Sequence, residues 1–324
     1  MNSRCQICNK TIFITGGAGF IASHLIERLI NENNIIVYDN FTRNALKFTE
    51  ISNHPNLNII KGDVLESEHL CHSMKNLDIC IHAAAIAGIY SVTNNATLTM
   101  KVNFIGTYNA LEAAVKNKVK RFIDFSTSEV YGPFVYKGKE TDSTTLGPVG
   151  EKRWVYAVSK LAGEHFAHTY KEEYDLDVIT IRPFNVYGPR QVGEGAIQQM
   201  VNQALKNEDL TIYNDGTQIR AWCYVTDFVD ALYSALFKEE AKNQIFNIGN
   251  PEATVTVLGL AEKIIEMTES KSKIIFKAHP GPEVAMRVPD ISKASSLLNY
   301  YPKVNLENGL QKTIEWYKNI QSKK

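Results

Sequence analysis

The 324-residue sequence predicts an α/β fold built on a doubly wound parallel sheet. Short β-rich runs recur up to residue 182, and helical patterns of apolar residues alternate with them. The first run, Thr11 to Thr15, leads at once into a glycine turn and an amphipathic helix. After residue 182 the strands become shorter and loops rich in Gly, Pro and Asn appear. This change predicts a smaller C-terminal α/β lobe from 183 to 324.

The glycine turn, Gly16-Gly17-Ala18-Gly19-Phe20-Ile21-Ala22, lies between the first strand and the first helix. Glycines let the backbone approach a pyrophosphate, and the start of a helix offers free N–H groups with a partial positive charge. A second strand, Ile35 to Tyr38, ends at Asp39, about twenty residues after the glycines. An acidic side chain there would hold ribose hydroxyls and repel a 2′-phosphate. These features predict NAD rather than NADP, although the nearby Arg43 would weaken that preference.

Further strands in this half of the chain end in residues suited to a binding site. The strand from Leu57 to Ile60 leads to Gly62-Asp63-Val64, and the strand that starts at Leu77 runs into Ala83-Ala84-Ala85. Small side chains at the latter segment would let a cofactor lie against the backbone. A long amphipathic helix is predicted from Met100 to Asn117. Because ligands bind at the carboxyl ends of the strands in such sheets, these segments are candidates for one site.

A third group of residues carries the candidate chemistry. Arg121 to Phe125 has the composition of a buried strand, and Ser126-Thr127-Ser128-Glu129 follows it. After a polar loop, Tyr156 and Lys160 occur four positions apart at the start of a predicted helix. Residues at this spacing share one helix face, so the phenol lies beside the ammonium, which favours the phenolate and makes tyrosine a usable base. Two surface residues on one helix would produce the same short pattern.

Composition excludes several other classes of protein. The 35 basic and 35 acidic residues cancel, which argues against nucleic acid or a membrane surface as the main partner. No apolar run approaches the ~18 residues of a membrane span, and the N-terminus lacks the core of a signal peptide. Five scattered cysteines fit a reducing cytoplasm. Cys5 and Cys8 lack the second pair that a closed zinc site needs, so no metal is expected.

Together these motifs resemble the extended short-chain dehydrogenase/reductase family, specifically its NAD-dependent nucleotide-sugar epimerases, dehydratases and decarboxylases. The resemblance rests on four segments in order: Thr15–Ile21, Ser126–Gly132, Tyr156–Lys160 and Arg182–Arg190. It covers roughly Lys10 to Trp316. It implies a Rossmann-type NAD-binding domain over 1–182 and a nucleotide-sugar-binding lobe over 183–324, between which the chain is free to cross. It also implies a homodimer formed through a four-helix bundle.

The resemblance further implies which residues contact each ligand. The expected NAD contacts are Gly16, Gly19, Phe20, Ile21, Asp39, Asn40, Asp63, Val64, Ala83, Ala84, Ala85, Tyr156 and Lys160. Asp63 and Val64 would lie against the adenine ring. The expected contacts to the nucleotide sugar are Asn185, Arg190, Arg220 and Arg287. Arginine suits a pyrophosphate because its planar fork can donate to two oxygens at once.

In such enzymes the sugar's 4-hydroxyl is oxidised first, with Tyr156 as base and Thr127 bonded to the same oxygen. Glu129 occupies a position where many simple 4-epimerases carry a residue that does not ionise. A carboxylate there suits removal of the C5 proton, which leads to loss of the C6 hydroxyl as water. Thr127, Ser128 and Glu129 therefore resemble the catalytic triad of 4,6-dehydratases. Ser128 departs from that pattern, because an aspartic acid often protonates the leaving hydroxyl.

Three reactions and one non-catalytic function stay open at this point. We favour a 4,6-dehydratase acting on a UDP-sugar such as UDP-N-acetylglucosamine. Decarboxylases of UDP-glucuronic acid carry the same Thr-Ser-Glu set, but some of them use an arginine where Ser292 stands. A UDP-sugar 4-epimerase is the third possibility. A catalytically inactive nucleotide-sugar sensor is disfavoured, because Thr127, Tyr156 and Lys160 are all present.

Overall fold

The structure is a computed structural model that describes residues 8–278 and 281–322. Its strands, numbered in chain order, are β1 (Thr11–Thr15), β2 (Asn34–Asp39), β3 (Leu57–Lys61), β4 (Ile79–His82), β5 (Arg121–Phe125), β6 (Phe134–Gly138), β7 (Asp177–Pro183), β8 (Val186–Tyr187), β9 (Leu210–Tyr213), β10 (Ile219–Ala221), β11 (Cys223–Tyr224), β12 (Ile245–Ile248), β13 (Thr254–Thr256), β14 (Ile274–Lys277) and β15 (Met286–Pro289).

The helices, also in chain order, are α1 (Phe20–Leu29), α2 (Ser67–Ser73), α3 (Ile89–Asn94), α4 (Ala96–Met100), α5 (Gly106–Lys116), α6 (Val155–Tyr174), α7 (Ala196–Leu205), α8 (Val225–Phe237), α9 (Val257–Met267), α10 (Ser292–Leu298) and α11 (Leu306–Gln321). Short 3₁₀ turns at Ser128–Tyr131 and Lys152–Trp154 carry residues of the candidate site. No helix among the described residues has the length and apolar content needed to cross a membrane.

The larger sheet has seven strands in the order β12-β7-β5-β4-β1-β2-β3, and all its neighbouring pairs are parallel. From β1 the sheet extends on one side through β2 and then β3. The next strand in the chain, β4, pairs with β1 on its other side. This reversal of strand order creates a crevice at the carboxyl ends of β1 and β4, where doubly wound sheets bind ligands. The predicted α/β fold with a parallel, doubly wound sheet is confirmed.

Two apolar cores cover the two faces of this sheet. On β1, Ile12 and Ile14 face the core that includes α1 and α8, while Phe13 faces the core that includes α5 and α6. On β5, Ile123 faces the core that includes α1 and α8, and Phe122 faces the core that includes α5 and α6. Successive side chains of a strand point to opposite faces, so near-continuous apolar runs are what a sheet covered on both sides requires.

The smaller lobe contains a four-stranded sheet in the order β13-β10-β15-β6 and two two-stranded sheets, β11-β8 and β14-β9. The chain crosses between the lobes. β6 comes from the first half of the sequence but belongs to the four-stranded sheet. β12 comes from the second half and forms an edge strand of the seven-stranded sheet. A boundary at 182/183 therefore separates the two sheets only in part.

The helix expected from Met100 to Asn117 is interrupted. Residues Lys101–Ile105 form a π-helical turn, and α5 begins only at Gly106. Asn103 in this turn accepts a hydrogen bond from the N–H of Ile86 at 2.8 Å and donates to the Ile86 carbonyl at 3.0 Å. A π-helical turn shifts the register of side chains, and here it directs Asn103 to the segment after β4. Cys5 lies outside the described residues, which contain no cluster of three or more His, Cys, Asp or Glu able to hold a metal.

Candidate active site

The glycine turn after β1 has a backbone conformation that requires glycine at position 16. Gly16 has φ of +67°, donates its N–H to the Tyr38 carbonyl at 2.9 Å and accepts from the N–H of Gly19 at 3.0 Å. A Cβ atom on Gly16 would lie 2.6 Å from the backbone nitrogen of Ala84. Gly19 caps α1 without a side-chain hydrogen bond, so the first N–H groups of α1 are available to an anion. The turn thus fits the pyrophosphate of a dinucleotide.

Asp39 ends β2 beside this turn and is 8% exposed. Its carboxylate accepts hydrogen bonds from the N–H of Ala18 at 2.9 Å and of Phe41 at 2.7 Å. Burial raises the pKa of this carboxyl, and the two N–H donors oppose that rise. The side chain is therefore held rigidly against the glycine turn, as the predicted ribose contact requires. Asn40, the next residue, is exposed and accepts from the N–H of Thr42.

The other predicted cofactor residues surround the same crevice. Asp63 accepts from the N–H of Leu65, and Val64 is buried with its carbonyl bonded to Asn109. Ala83 and Ala84 are half-buried and Ala85 is exposed after β4. Phe20 and Ile21 are half-buried at the start of α1. These residues meet at the carboxyl ends of β1, β2, β3 and β4, but their contacts to NAD stay a prediction.

Lys160 provides a second test of whether a cofactor fits. It is 3% exposed, yet its ammonium nitrogen has no hydrogen-bond partner among the described residues. A buried ammonium without partners is costly, so an unpartnered group at a crevice marks the place of a ligand. The hydroxyls of a cofactor ribose would satisfy this nitrogen. The residues present therefore fit NAD.

Tyr156 lies one helical turn before Lys160, as the spacing predicts, at the start of α6. Burial raises the pKa of its phenol to about 12, and the hydroxyl of Thr127 opposes part of that rise through a hydrogen bond. The expected lowering of this pKa by Lys160 is not observed, because burial dominates and Lys160 is not among the charges that act on Tyr156. Tyr156 is therefore a neutral phenol at neutral pH.

Glu129 lies in the 3₁₀ turn after β5, where the Thr127 hydroxyl accepts a hydrogen bond from its N–H at 3.1 Å. Arg287 donates to its carboxylate at 2.5 Å, and Arg153 donates to both its oxygens at 3.3 Å. Burial opposes ionisation of Glu129, but Arg287 and then Arg153 outweigh it and lower the pKa of the carboxyl. Ser128, the neighbouring residue, is 4% exposed.

Arg153 is a site residue that sequence reasoning missed. Its side chain is 12% exposed, and its Nε is buried without a hydrogen-bond partner among the described residues. It lines a pocket whose walls are Gly88, Ile89, Val92, Thr93, Glu129, Arg153 and Tyr156. The only local sign that Arg153 belongs to the site was its position three residues before Tyr156. Helical residues at this spacing have side chains on the same face.

Two of the predicted arginines come together beside this pocket. Arg220 on β10 and Arg287 on β15 are direct partners across parallel strands. Arg220 donates to the carbonyls of Ile219 and Val284, and burial followed by the charge of Arg287 lowers its pKa to about 10. Asn185 lies close by, since its amide donates to the Ala221 carbonyl at 3.0 Å. A pair of adjacent cations suits a diphosphate.

Arg190 is not brought to this group. Its guanidinium forms two hydrogen bonds of 2.7 and 2.6 Å with Glu27 on α1 and also contacts the ring of His24. Arg190 is 6% exposed. With its fork already occupied, it joins the loop after β8 to α1, and the structure gives no support to its predicted contact with the nucleotide sugar.

Arg43 and Glu194 form a contact across the mouth of the crevice that the sequence did not indicate. Arg43 donates to Glu194 at 3.3 Å and to the Ala87 carbonyl at 3.0 Å. The Glu194 carboxylate also accepts from the N–H groups of Tyr90 and Ser91 at the start of α3. Arg43 is therefore already neutralised, which removes the reason for expecting it to weaken the preference for NAD.

Residues 12–249 match the model of the NAD dependent epimerase/dehydratase family. The chain belongs to this family. A curated relative is the UDP-N-acetyl-alpha-D-glucosaminuronate decarboxylase of Bacillus cytotoxicus, which is 35% identical over 97% of this chain and 99% of its own length. The predicted resemblance is thereby confirmed.

Solved structures of family members agree. UDP-glucuronic acid 4-epimerase from Bacillus cereus, in complex with UDP-glucuronic acid and NAD, is 30% identical with a TM-score of 0.86 over 96% of this chain and 99% of its own. dTDP-glucose 4,6-dehydratase from Bacillus anthracis, in complex with NAD, is 28% identical with a TM-score of 0.83 over 97% of this chain and 98% of its own. NAD is confirmed as the cofactor, and the protein is an enzyme of nucleotide-sugar modification.

Proposed function

We propose that this enzyme is an NAD-dependent decarboxylase of a UDP-hexuronic acid. The observation that carries the proposal is Arg153, whose buried Nε has no partner and whose terminal nitrogen contacts Glu129 only at 3.3 Å. A guanidinium with free donors in a desolvated pocket is a binding site for a carboxylate. Arg153 supplies this cation although Ser292 stands where some related decarboxylases carry an arginine.

The pocket around Arg153 also contains Tyr156, so a sugar whose C4 hydroxyl reaches the phenol would bring its C6 group close to the guanidinium. The C6 substituent of a hexuronic acid is a carboxylate, which satisfies Arg153. The C6 substituent of a dehydratase substrate is a neutral CH₂OH group. That group would leave a buried, charged donor incompletely bonded, which is unfavourable.

The state of Glu129 also supports decarboxylation over dehydration. Two arginines hold the pKa of Glu129 low, which makes its carboxylate a weak base for the C5 proton. Ser128, with its weakly acidic hydroxyl, is poorly suited to protonate a leaving hydroxyl. Cleavage of the C5–C6 bond needs neither group, because its electrons pass into the adjacent C4 ketone as CO₂ leaves. C5 of the resulting enolate then takes a proton from water, and the hydride removed in the first step returns to C4. In this scheme Glu129 holds Arg153 and Arg287 in place.

The remaining side chains act on the first stage of the reaction. Tyr156 takes the proton of the 4-hydroxyl, and Thr127 holds the same oxygen. Lys160 would bind the cofactor ribose, and the hydrogen bond with the Thr127 hydroxyl is what favours the phenolate of Tyr156. The glycine turn after β1 and Lys160 would hold NAD, which would supply the hydride acceptor for C4. Arg220 would bind the diphosphate, and Asn185 holds the strand edge beside it. Arg287, which donates to Glu129 and to the Gly132 carbonyl, adds its positive charge from the neighbouring strand.

The similarity to a decarboxylase of a UDP-N-acetylated hexuronic acid supports UDP as the nucleotide and leaves two candidate sugars, with a hydroxyl or an acetamido group at C2. We would incubate the holoenzyme with UDP-glucuronic acid, UDP-N-acetylglucosaminuronic acid, UDP-N-acetylglucosamine and UDP-glucose. Mass spectrometry of each product decides the reaction. Loss of CO₂ from either acid supports the proposal. Loss of water from a neutral sugar, or an unchanged mass with inversion at C4, contradicts it.

A 4,6-dehydratase acting on UDP-N-acetylglucosamine is the second candidate. Glu129 lines the same pocket as Tyr156, which is where a base for C5 has to lie. Dehydration in deuterated water would place deuterium at C5 of a product that has lost water. Product without a loss of water, or without deuterium at C5, would exclude this reaction.

We also propose a homodimer. Leu98, Ile105, Tyr108 and Val158 are between 39% and 46% exposed and lie along α4, α5, α6 and the π-helical turn. The family resemblance pairs these helices with those of a second copy, which would bury the apolar side chains. Light scattering of the purified protein measures its mass directly. A monomer at micromolar concentration would contradict this proposal.

A further inference from the structure

A row of buried polar side chains crosses the large sheet beneath the active-site helices. Thr15, His82, Asp124 and Thr180 are direct neighbours across β1, β4, β5 and β7, and none is more than 1% exposed. His82 is satisfied, since its ring nitrogens bond to Thr15 at 2.8 Å and to Thr107 at 3.1 Å. One carboxylate oxygen of Asp124 and the hydroxyl of Thr180 have no partner among the described residues.

Asp124 faces the helix that carries the Tyr156-Lys160 pair. Phe122, two residues earlier on β5, packs in the core that includes Ala167 of α6, and side chains two apart on a strand share a face. Asp124 is thus directed toward the underside of α6. Its charge acts on both Lys160 and Tyr156.

Lys160 needs a counter-charge. Burial lowers the pKa of its ammonium, and no described residue bonds to its nitrogen. Glu164, one helical turn further on α6, already gives both its oxygens to Arg182 at 2.8 and 2.7 Å. Glu129 is shared between Arg287 and Arg153. Of the carboxylates that act on Lys160, Asp124 is therefore the one that no arginine neutralises.

The other groups around Asp124 do not change this assignment. Burial lowers the pKa of His82 to about 3, so its ring is neutral. Burial raises the pKa of Asp124 to about 7, and the charge of Lys160 opposes that rise while Glu164 adds to it. Asp124 is consequently ionised above neutral pH, where its negative charge favours the ammonium form of Lys160.

We propose that Asp124 is a positioning residue that acts through Lys160, and that its buried carboxylate keeps the Lys160 ammonium protonated for cofactor binding and catalysis. The inference rests on the Tyr156-Lys160 oxidation step of the proposed function, but not on the fate of the C6 group. Lys160 without this carboxylate should lose its proton at lower pH, because a buried lysine favours the neutral form.

The first test needs no sugar. NAD would be titrated into the cofactor-free protein from neutral to alkaline pH, with the wild type compared with Asp124→Asn and Asp124→Ser. We expect the alkaline midpoint for loss of NAD affinity to fall by about one pH unit in both variants. Thr180→Val is the matched control, because it removes a buried, unpartnered hydroxyl from the next strand without changing a charge. Its midpoint should equal that of the wild type.

The second test follows the transient absorbance of NADH after the holoenzyme is mixed with UDP-glucuronic acid or UDP-N-acetylglucosaminuronic acid. The alkaline limb of the pH–rate profile should shift in the same direction and by a similar amount. An unshifted midpoint in both Asp124 variants, or an equal shift in Thr180→Val, would overturn the proposal. A shifted NAD midpoint without turnover of any hexuronic acid would leave the role of Asp124 standing and would count against the proposed decarboxylation.

Discussion

Replacement of Arg153 tests the proposed reaction most directly. Arg153→Met removes the guanidinium and keeps a flexible apolar side chain of similar length, whereas Arg153→Lys keeps the charge and loses the planar fork. If Arg153 binds the C6 carboxylate, both variants should lose activity toward a UDP-hexuronic acid. The methionine variant should lose more. Neither should weaken binding of a UDP-sugar whose C6 group is neutral.

The size of the loss follows from the burial of the side chain. Arg153 is 12% exposed, so its contact with a substrate carboxylate is largely shielded from water. Removing one partner of a buried, hydrogen-bonded charge pair costs about 2–5 kcal/mol. We therefore expect kcat/KM for Arg153→Met to fall between about 30-fold and several thousand-fold. The kcat/KM for Arg153→Lys should fall by about ten- to 150-fold, since one charge-assisted hydrogen bond contributes about 1.5–3 kcal/mol.

Steady-state release of CO₂ measures the first quantity, and competition by UDP-glucose measures binding of the neutral sugar. Lys152→Met is the matched control, because Lys152 is exposed in the same 3₁₀ turn. Thermal unfolding of each variant checks that loss of the Glu129 contact has not unfolded the site. Equal losses for the acidic and the neutral sugar, or full activity of Arg153→Met toward the acid, would refute the assignment.

Four further substitutions test the rest of the site. Tyr156→Phe removes the base and should lower turnover by several powers of ten while UDP-sugar binding, measured by calorimetry, is retained. Glu129→Gln should still release CO₂ if the enzyme is a decarboxylase, whereas a dehydratase would stop with NADH visible in absorbance and almost no product. Gly16→Ala would place a Cβ 2.6 Å from the Ala84 nitrogen on a backbone with φ of +67°. The NAD affinity should therefore fall by about ten- to a hundredfold. An unchanged NAD affinity would contradict the role of this turn in binding the pyrophosphate. Asp39→Ala removes the charge that repels a 2′-phosphate, so the ratio of NADP to NAD dissociation constants should shrink, and an unaltered ratio would exclude that role.

Local patterns in the sequence were sufficient for much of the fold. The strands at Thr11–Thr15 and Arg121–Phe125 were predicted with correct ends, because β-rich runs bounded by turns and charges are short-range signals. The glycine turn and the Tyr156-Lys160 spacing depend only on residues within one strand–turn–helix unit or one helical turn. The family could be assigned from such motifs, because the geometry of each depends on a few neighbouring residues that the sequence lists directly.

The neighbourhood of Glu129 depended on tertiary structure. Its partner Arg287 lies 158 residues away, and β6 and β12 cross between lobes to bring the two sheets together. In the sequence, Arg190 and Arg220 were equivalent candidates for binding the nucleotide sugar. In the structure, Arg190 forms an ion pair with Glu27 on α1, whereas Arg220 lies beside Arg287. The sequence by itself thus predicted the family and NAD as the cofactor, and it placed Tyr156 and Lys160 one helical turn apart. Which arginines pair with Glu129 was decided only by the tertiary structure, because ion pairing depends on distance in space rather than on spacing along the chain.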